Sequence, residues 1–232
     1  MKFVVLSDMH GDLAYIDQLD EIISSSDGII FGGDFTRFNE PETGLPALKK
    51  LVKKHESVFA VLGNCDEPDF IEKLEEEDIS VQGSLVFYEG LVFAGSSGAL
   101  KFTGTTPIER TDEELVSDFN IAFSEQEEGE TVLWPNMIAV MHQPPKDTAC
   151  DMITGGIHVG SQKLREFIET VKPLAVVTGH IHESAGIDNI GSTVVINPGS
   201  LAEGKYAVLE VAKNNKNEWT VIKSELKEII VE

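Results

Sequence analysis

KFVVLSDMH, residues 2–10, is an apolar run that stops at a carboxylate and, two residues later, an imidazole. Residues 2–7 read as a strand buried on both faces, because little in the run is polar before Ser7. The same punctuation recurs down the chain. GIIFGG (28–33) leads into Asp34 and SVFAVLG (57–63) into Asn64, while NMIAVMH (136–142) closes on His142 and PLAVVTGH (173–180) on His180. Between these runs lie amphipathic segments, and that alternation predicts an α/β fold. The spacing predicts helices over 13–24 (through Leu13, Ile16, Leu19 and Ile23), 45–54, 68–77 and 161–171, with Pro46 and Pro68 tolerated in first turns.

Residues 79–97 are β-like runs broken by glycines and predict antiparallel strands joined by tight turns. STVVINPGS (192–200), KYAVLEV (205–211) and EWTVIKSEL (218–226) add further strands, with NPGS read as the turn between the first two. The least regular segment is 100–135. Within it Thr111 and Glu114 fit a capping box, and Leu115, Phe119, Ala122 and Phe123 come after it on one face. The expectation is one domain over 1–232 with an acidic helical insertion at about 100–135.

Charge narrows the partners. The chain carries 40 Asp+Glu against 18 Lys+Arg, a formal charge of −22. Its arginines are Arg37, Arg110 and Arg165, and no basic run offers a track for phosphates, so duplex nucleic acid is not an expected partner. Cys65 and Cys150 make no disulfide framework, which points to a reducing cytoplasm. The apolar run in MKFVVLSD is too short for a signal peptide, and no later run approaches a membrane span. A cytoplasmic protein with no membrane partner is expected; a homo-oligomer is left open.

In an open α/β sheet, ligands bind beyond the carboxyl ends of the strands. One strand ending at Asp or His is unremarkable, whereas five point to a single crevice lined by convergent polar groups. Asp8 and His10 are two apart, as are His180 and His182, a spacing that in extended backbone puts both members on one side. The donors are Asp8, His10, Asp34, Asn64, His142, His180 and His182. Seven exceed the needs of one ion, whereas two ions sharing Asp34 use them all. Ion pairs about 3.5–4 Å apart are a known design for in-line displacement at phosphorus. Carboxylate, amide and imidazole together suit Mn, Fe, Co, Ni or Zn. The count leaves out Cys65, and His55 in KKHES reads as a solvated helix end.

DMH (8–10), GGD (32–34), GNCD (63–66), MHQPP (141–145) and GHIH (179–182), in that order, resemble the motifs of calcineurin-like metallophosphoesterases, among them small bacterial and archaeal members that carry GNCD. The resemblance implies a four-layer αββα sandwich, two mixed β-sheets flanked by helices, with a binuclear metal site at its edge. It also implies that Asp8, His10, Asp34 and His182 hold one ion, that Asp34, Asn64, His142 and His180 hold the other, and that a bridging hydroxide is the nucleophile. The departure is Cys65. Many members have a histidine there that helps to protonate the leaving group, oriented by the next residue, an aspartate. Here Cys65 occupies the general-acid position as a weak donor, and Asp66 loses its usual partner. Arg37, three residues past Asp34, and His158 in GGIHVGS are candidate substrate contacts.

Site charge then favours one substrate class. Two divalent ions against Asp8, Asp34 and a hydroxide leave about one positive charge, which matches a phosphodiester monoanion; a dianionic monoester would want additional arginines. The expected activity is hydrolysis of a small or nucleotide-like phosphodiester. A nuclease is disfavoured by the missing basic track, and a phosphomonoesterase or protein phosphatase by the shortage of arginine. A non-catalytic scaffold is disfavoured by the complete donor set.

Overall fold

The structure, a computed structural model, describes residues 1–123 and 134–230. In chain order the strands are β1 (Lys2–Leu6), β2 (Gly28–Phe31), β3 (Val58–Ala60), β4 (Val86–Tyr88), β5 (Leu91–Ser96), β6 (Ala99–Leu100), β7 (Glu109–Arg110), β8 (Met137–Met141), β9 (Met152–Ile153), β10 (Ile157–His158), β11 (Ala175–Val177), β12 (Gly186–Ile190), β13 (Thr193–Asn197), β14 (Lys205–Lys213) and β15 (Trp219–Glu228). The α-helices are α1 (Asp20–Ser24), α2 (Gly44–Val52), α3 (Ile71–Glu76), α4 (Asp112–Ser117) and α5 (Gln162–Val171).

Two large sheets form, ordered β15-β14-β1-β2-β3 and β12-β13-β11-β8-β5-β4. Strand periodicity divides the apolar residues among three cores. In β1, Val4 and Leu6 pack with Ile23, Leu48 and Leu74 of α1, α2 and α3. Phe3 and Val5 point the other way, toward Phe93, Ile138 and Val140 of the second sheet. In β8 the alternate residues Met137, Ala139 and Met141 meet Leu115 of α4 and Leu164 and Phe167 of α5. The layers are therefore helices, sheet, sheet, helices. The sheets are locked by Phe59 of β3 stacked on Phe93 of β5, with centroids 3.7 Å apart and planes inclined by 2°. Phe3 meets Phe93 edge-on at 5.7 Å. Removing a ring from such a cluster costs about 3–5 kcal/mol, so the sheet-to-sheet contact depends on both Phe59 and Phe93.

β1, β2 and β3 run parallel, as do β5, β8, β11 and β13. The carboxyl ends of both sheets meet at one edge, where a Cβ on Gly32, after β2, would stand 3.1 Å from the Thr178 carbonyl, after β11.

Local chemistry shortened several elements. Residues 16–19 form a 3₁₀ turn before α1, so the predicted helix over 13–24 is α-helical only in its second half. Pro68–Phe70 is likewise a 3₁₀ turn ahead of α3. That helix stops among Glu75, Glu76, Glu77 and Asp78, acidic residues that oppose the negative end of its dipole. The capping box forms: Thr111 Oγ1 accepts the Glu114 N–H at 3.2 Å, and Glu114 Oε2 accepts the Thr111 N–H at 2.7 Å. The helix it starts continues as a 3₁₀ stretch to Phe123, and Phe119 stacks on Phe167 at 4.3 Å. The rest of that predicted helical segment, 124–133, lies outside the described residues. Three features escaped sequence reading, one of them the parallel β6–β7 pair with two residues per strand. β12, GIDNI, carries Asp and Asn, which have poor strand propensity, and the β9–β10 ribbon has only two residues per strand. His55 is no solvated helix end: its half-buried ring lies 3.2 Å from the Ser26 carbonyl and 2.9 Å from the Ser57 nitrogen.

Candidate metal centre

Each donor sits past the carboxyl end of a parallel strand, and four of the seven have a left-handed backbone. Asp8, His10, Asp34 and His180 have φ of 55°, 47°, 60° and 67°. Non-glycine residues rarely adopt this left-handed region, and strain of this kind collects at functional sites. The pairing of Asp8 with His10 and of His180 with His182 therefore arises from tight turns, not from the extended backbone that the spacing suggested. Glycines make room beside the donors. A Cβ on Gly63 would stand 1.9 Å from Asp34 Oδ1, and one on Gly179 would stand 2.6 Å from Asp8 Oδ2.

The donors converge in two overlapping groups. His10 Nε2 lies 3.2 Å from His182 Nε2, which is 3.1 Å from Asp8 Oδ1. His142 Nε2 lies 2.9 Å from Asn64 Oδ1, and the His180 ring centroid is 5.2 Å from that of His142. Between the groups sits one oxygen. Asp34 Oδ2 is 3.7 Å from His10 Nε2 and 3.5 Å from His142 Nε2. The other Asp34 oxygen is occupied, accepting the Cys65 N–H at 2.8 Å.

The rings are held by their far nitrogens. His142 Nδ1 lies 2.7 Å from the Gly32 carbonyl and His10 Nδ1 3.2 Å from the Thr36 carbonyl, so each donates there and turns its Nε2 lone pair inward. Inward-facing imidazole nitrogens and carboxylate oxygens at these distances are the donor types that hold a divalent ion. Electrostatics says the same. Burial would lower His142, but the Asp34 and Asp8 charges outweigh it and raise it to about 9, so the surroundings favour positive charge here. Burial and the charge of His142 instead push His180 down to about 4, leaving it neutral. Burial raises Asp34, but His142 and His10 overcome it and keep the carboxyl well below the usual range. The donor set fits divalent metal.

Asp66 has a partner after all. Fully buried, it accepts the backbone N–H groups of Asp34 (3.1 Å), Thr36 (2.9 Å) and Gly63 (2.8 Å), and so joins the loops that carry Asp34 and Asn64. Burial and the Asp34 charge push it up to about 6 against those bonds. Cys65 is 8% exposed, and its sulfur lies within 4.8 Å of His10 and Asp34 donor atoms. Burial and the Asp34 charge drive its pKa far upward, so it is a thiol and not a thiolate.

The remaining candidates stand apart. The exposed Arg37 guanidinium bonds Glu40 at 3.2 Å. His158 Nδ1 bonds the buried Asp151 carboxylate at 2.7 Å, and Asp151 also accepts the N–H groups of Thr148 and Gly160 at 2.8 and 2.9 Å. Neither Arg37 nor His158 lines the cavity beside the donors, which has a volume of about 440 Å³ and touches Asn64 and His180. Gln143 does, and nothing in the sequence singled it out except its place after His142. NPGS is a structural turn, as its composition suggested. Asn197 Oδ1 accepts the Gly199 N–H at 2.9 Å to close it, and Ser200 Oγ donates to the Asp8 carbonyl at 2.8 Å, bracing the loop that aims Asp8.

The model of the calcineurin-like phosphoesterase superfamily domain matches residues 1–214, and the chain belongs to this family of metal-dependent phosphoester hydrolases. It is 31% identical over 221 residues to an uncharacterized protein of Methanocaldococcus jannaschii, covering 92% of this chain and 94% of that protein. A solved structure from Thermus thermophilus superposes with a TM-score of 0.71 at 18% identity, covering 98% of each chain. The NAD nucleotidase of Haemophilus influenzae superposes with a TM-score of 0.53 at 11% identity, covering 99% of this chain and 56% of that one. At these identities the structural likenesses concern the fold. Among the described residues, no helix is long and apolar enough to cross a membrane.

Proposed function

We propose that this chain is a phosphodiesterase dependent on two divalent metal ions and acting on a small or nucleotide-like phosphodiester. The observation that carries the reading is the position of Asp34 Oδ2, 3.7 Å from His10 Nε2 and 3.5 Å from His142 Nε2, a single oxygen facing two donor groups. Asp8, His10, Asp34 and His182 would hold one ion, and Asp34, Asn64, His142 and His180 the other. Mn, Fe, Ni, Co or Zn bound there would draw charge from the phosphoryl oxygens and acidify a water for attack at phosphorus. The chain's own residues supply rigidity: Asp66 fixes the loops of Asp34 and Asn64, and the Gly32 and Thr36 carbonyls fix two imidazoles.

The preference for diesters rests on charge. All three arginines are engaged away from the cavity, Arg37 with Glu40, Arg110 with Asp118 at 2.5 Å, and Arg165 with Glu169 at 2.8 Å. No guanidinium fork therefore lines the cavity to meet the second charge of a monoester dianion. The test compares kcat/KM for an aryl phosphodiester and the matching monoester on protein reconstituted with each metal. A higher value for the diester is expected. A clear monoester preference overturns the charge argument, and no hydrolysis of either with any of the metals overturns the whole reading.

A further inference from the structure

The cavity beside the donors has a built wall that metal chemistry does not require. Asn64 and His180 lie at its inner side, and Leu100, Ile153, Val159 and Ile181 make its sides apolar. Gln143, 1% exposed, ties two of those sides together. Its Oε1 accepts the Leu100 N–H at 2.9 Å, and its Nε2 donates to the Val159 carbonyl at 3.1 Å. Because Gln143 comes directly after His142, both walls are pinned to a strand end that carries a donor.

The outer wall is a small loop gathered around one carboxylate. Glu109 accepts the N–H groups of Phe102 (3.0 Å), Gly104 (2.9 Å) and Thr105 (3.2 Å), and the hydroxyls of Thr103 (3.1 Å) and Thr106 (3.2 Å). Desolvation would raise this carboxyl, but the bonds outweigh it and lower it to about 2, so it accepts these bonds as a carboxylate at ordinary pH. The loop presents Phe102, which lines the cavity and is nevertheless 91% exposed. A large aromatic ring held in water by a fixed loop, at the mouth of an apolar cavity, gains by covering its face.

We propose that this cavity binds a flat aromatic group of the phosphoester substrate, an aryl ring or a nucleobase, with Phe102 stacking on it. The proposal rests on the phosphoesterase reading above. A volume of about 440 Å³ suits a ring or a nucleoside. Stacking on an aromatic side chain favours planar groups over saturated ones of the same size, which makes shape the measurable signature.

Titration calorimetry of the metal-reconstituted protein tests it with the monomethyl esters of methylphosphonate, cyclohexylphosphonate, phenylphosphonate and a nucleoside phosphonate, monoanions like a phosphodiester and named below by the parent phosphonate. Phenylphosphonate should bind about tenfold more tightly than cyclohexylphosphonate. Phe102→Ala should remove that advantage without moving methylphosphonate, and Phe102→Trp should keep it. Phe102 is so exposed that neither variant threatens folding. Tighter binding of the nucleoside phosphonate than of phenylphosphonate identifies a nucleobase as the occupant, and the reverse identifies an aryl group. If methylphosphonate binds but phenyl and cyclohexyl are equivalent, or if Phe102→Ala leaves the preference intact, this inference is wrong and the phosphoesterase reading stands. If methylphosphonate does not bind and no phosphoester is hydrolysed, both fall.

Discussion

The Asp66 carboxylate accepts the backbone N–H of Asp34 at 3.1 Å, so the residue placed between the two donor groups is positioned by a second buried aspartate. Replacing Asp66 by Asn turns one acceptor oxygen into a donor facing backbone N–H groups. Partners of this kind typically govern metal affinity by about 10–100-fold. Asp66→Asn should therefore weaken metal binding by about that factor and lower the melting temperature. Calorimetric titration with Mn or Zn checks it. Unchanged metal affinity with lost activity would instead place Asp66 in proton transfer.

Asp34 should couple the two ions. Asp34→Asn is expected to lose both together, whereas His10→Ala should chiefly weaken one, because Asp34 Oδ2 lies near both His10 and His142. Metal analysis of the purified variants reads this directly. Chelation should abolish activity, with Mn, Ni or Co restoring it better than Mg.

Cys65 should matter little to catalysis. Buried and un-ionised, it is a weak donor for a leaving alkoxide. Cys65→Ala should change kcat/KM by less than about tenfold, well under the roughly 10²–10⁴-fold typical of a lost general acid. Cys65→His should help alkyl diesters more than aryl ones, since only poor leaving groups need the proton. A loss with Cys65→Ala as complete as that with His142→Ala would make the thiol a ligand or a catalyst.

His158 should contribute stability in a pH-dependent way. Its bond to Asp151 raises its pKa above the ordinary histidine value, so the folded state binds the proton more tightly than the unfolded chain. That contribution is fully present below the unfolded value, about 6.5, and is lost as the pH rises through the raised folded value. The melting-temperature deficit of His158→Gln should be larger near pH 6 than near pH 9. An equal deficit at both would show that packing, not charge, holds the ring.

The layers were legible in the chain's own pattern, and so was the convergence of the seven candidate donors at one edge. Apolar runs such as KFVVL and MIAVM had to be buried on both faces, and their alternate residues now belong to different cores. The seven donors stood out because they cluster after such runs, and parallel strands bring the loops at their carboxyl ends to one edge. Contacts between distant segments left no such trace. The spacing of Asp8 and His10 suggested extended backbone, yet left-handed turns aim them, held by the Gly33 and Asp34 carbonyls accepting their N–H groups at 2.9 and 3.0 Å. Asp66 was read against an absent histidine, and its partners are backbone amides 32 and 30 residues away, at Asp34 and Thr36. Gln143 and Glu109 carried no periodic signal at all, because a polar side chain that braces a loop is defined by where the chain returns. Periodicity records which face of an element leaves water; only packing decides which loop a buried polar group meets there.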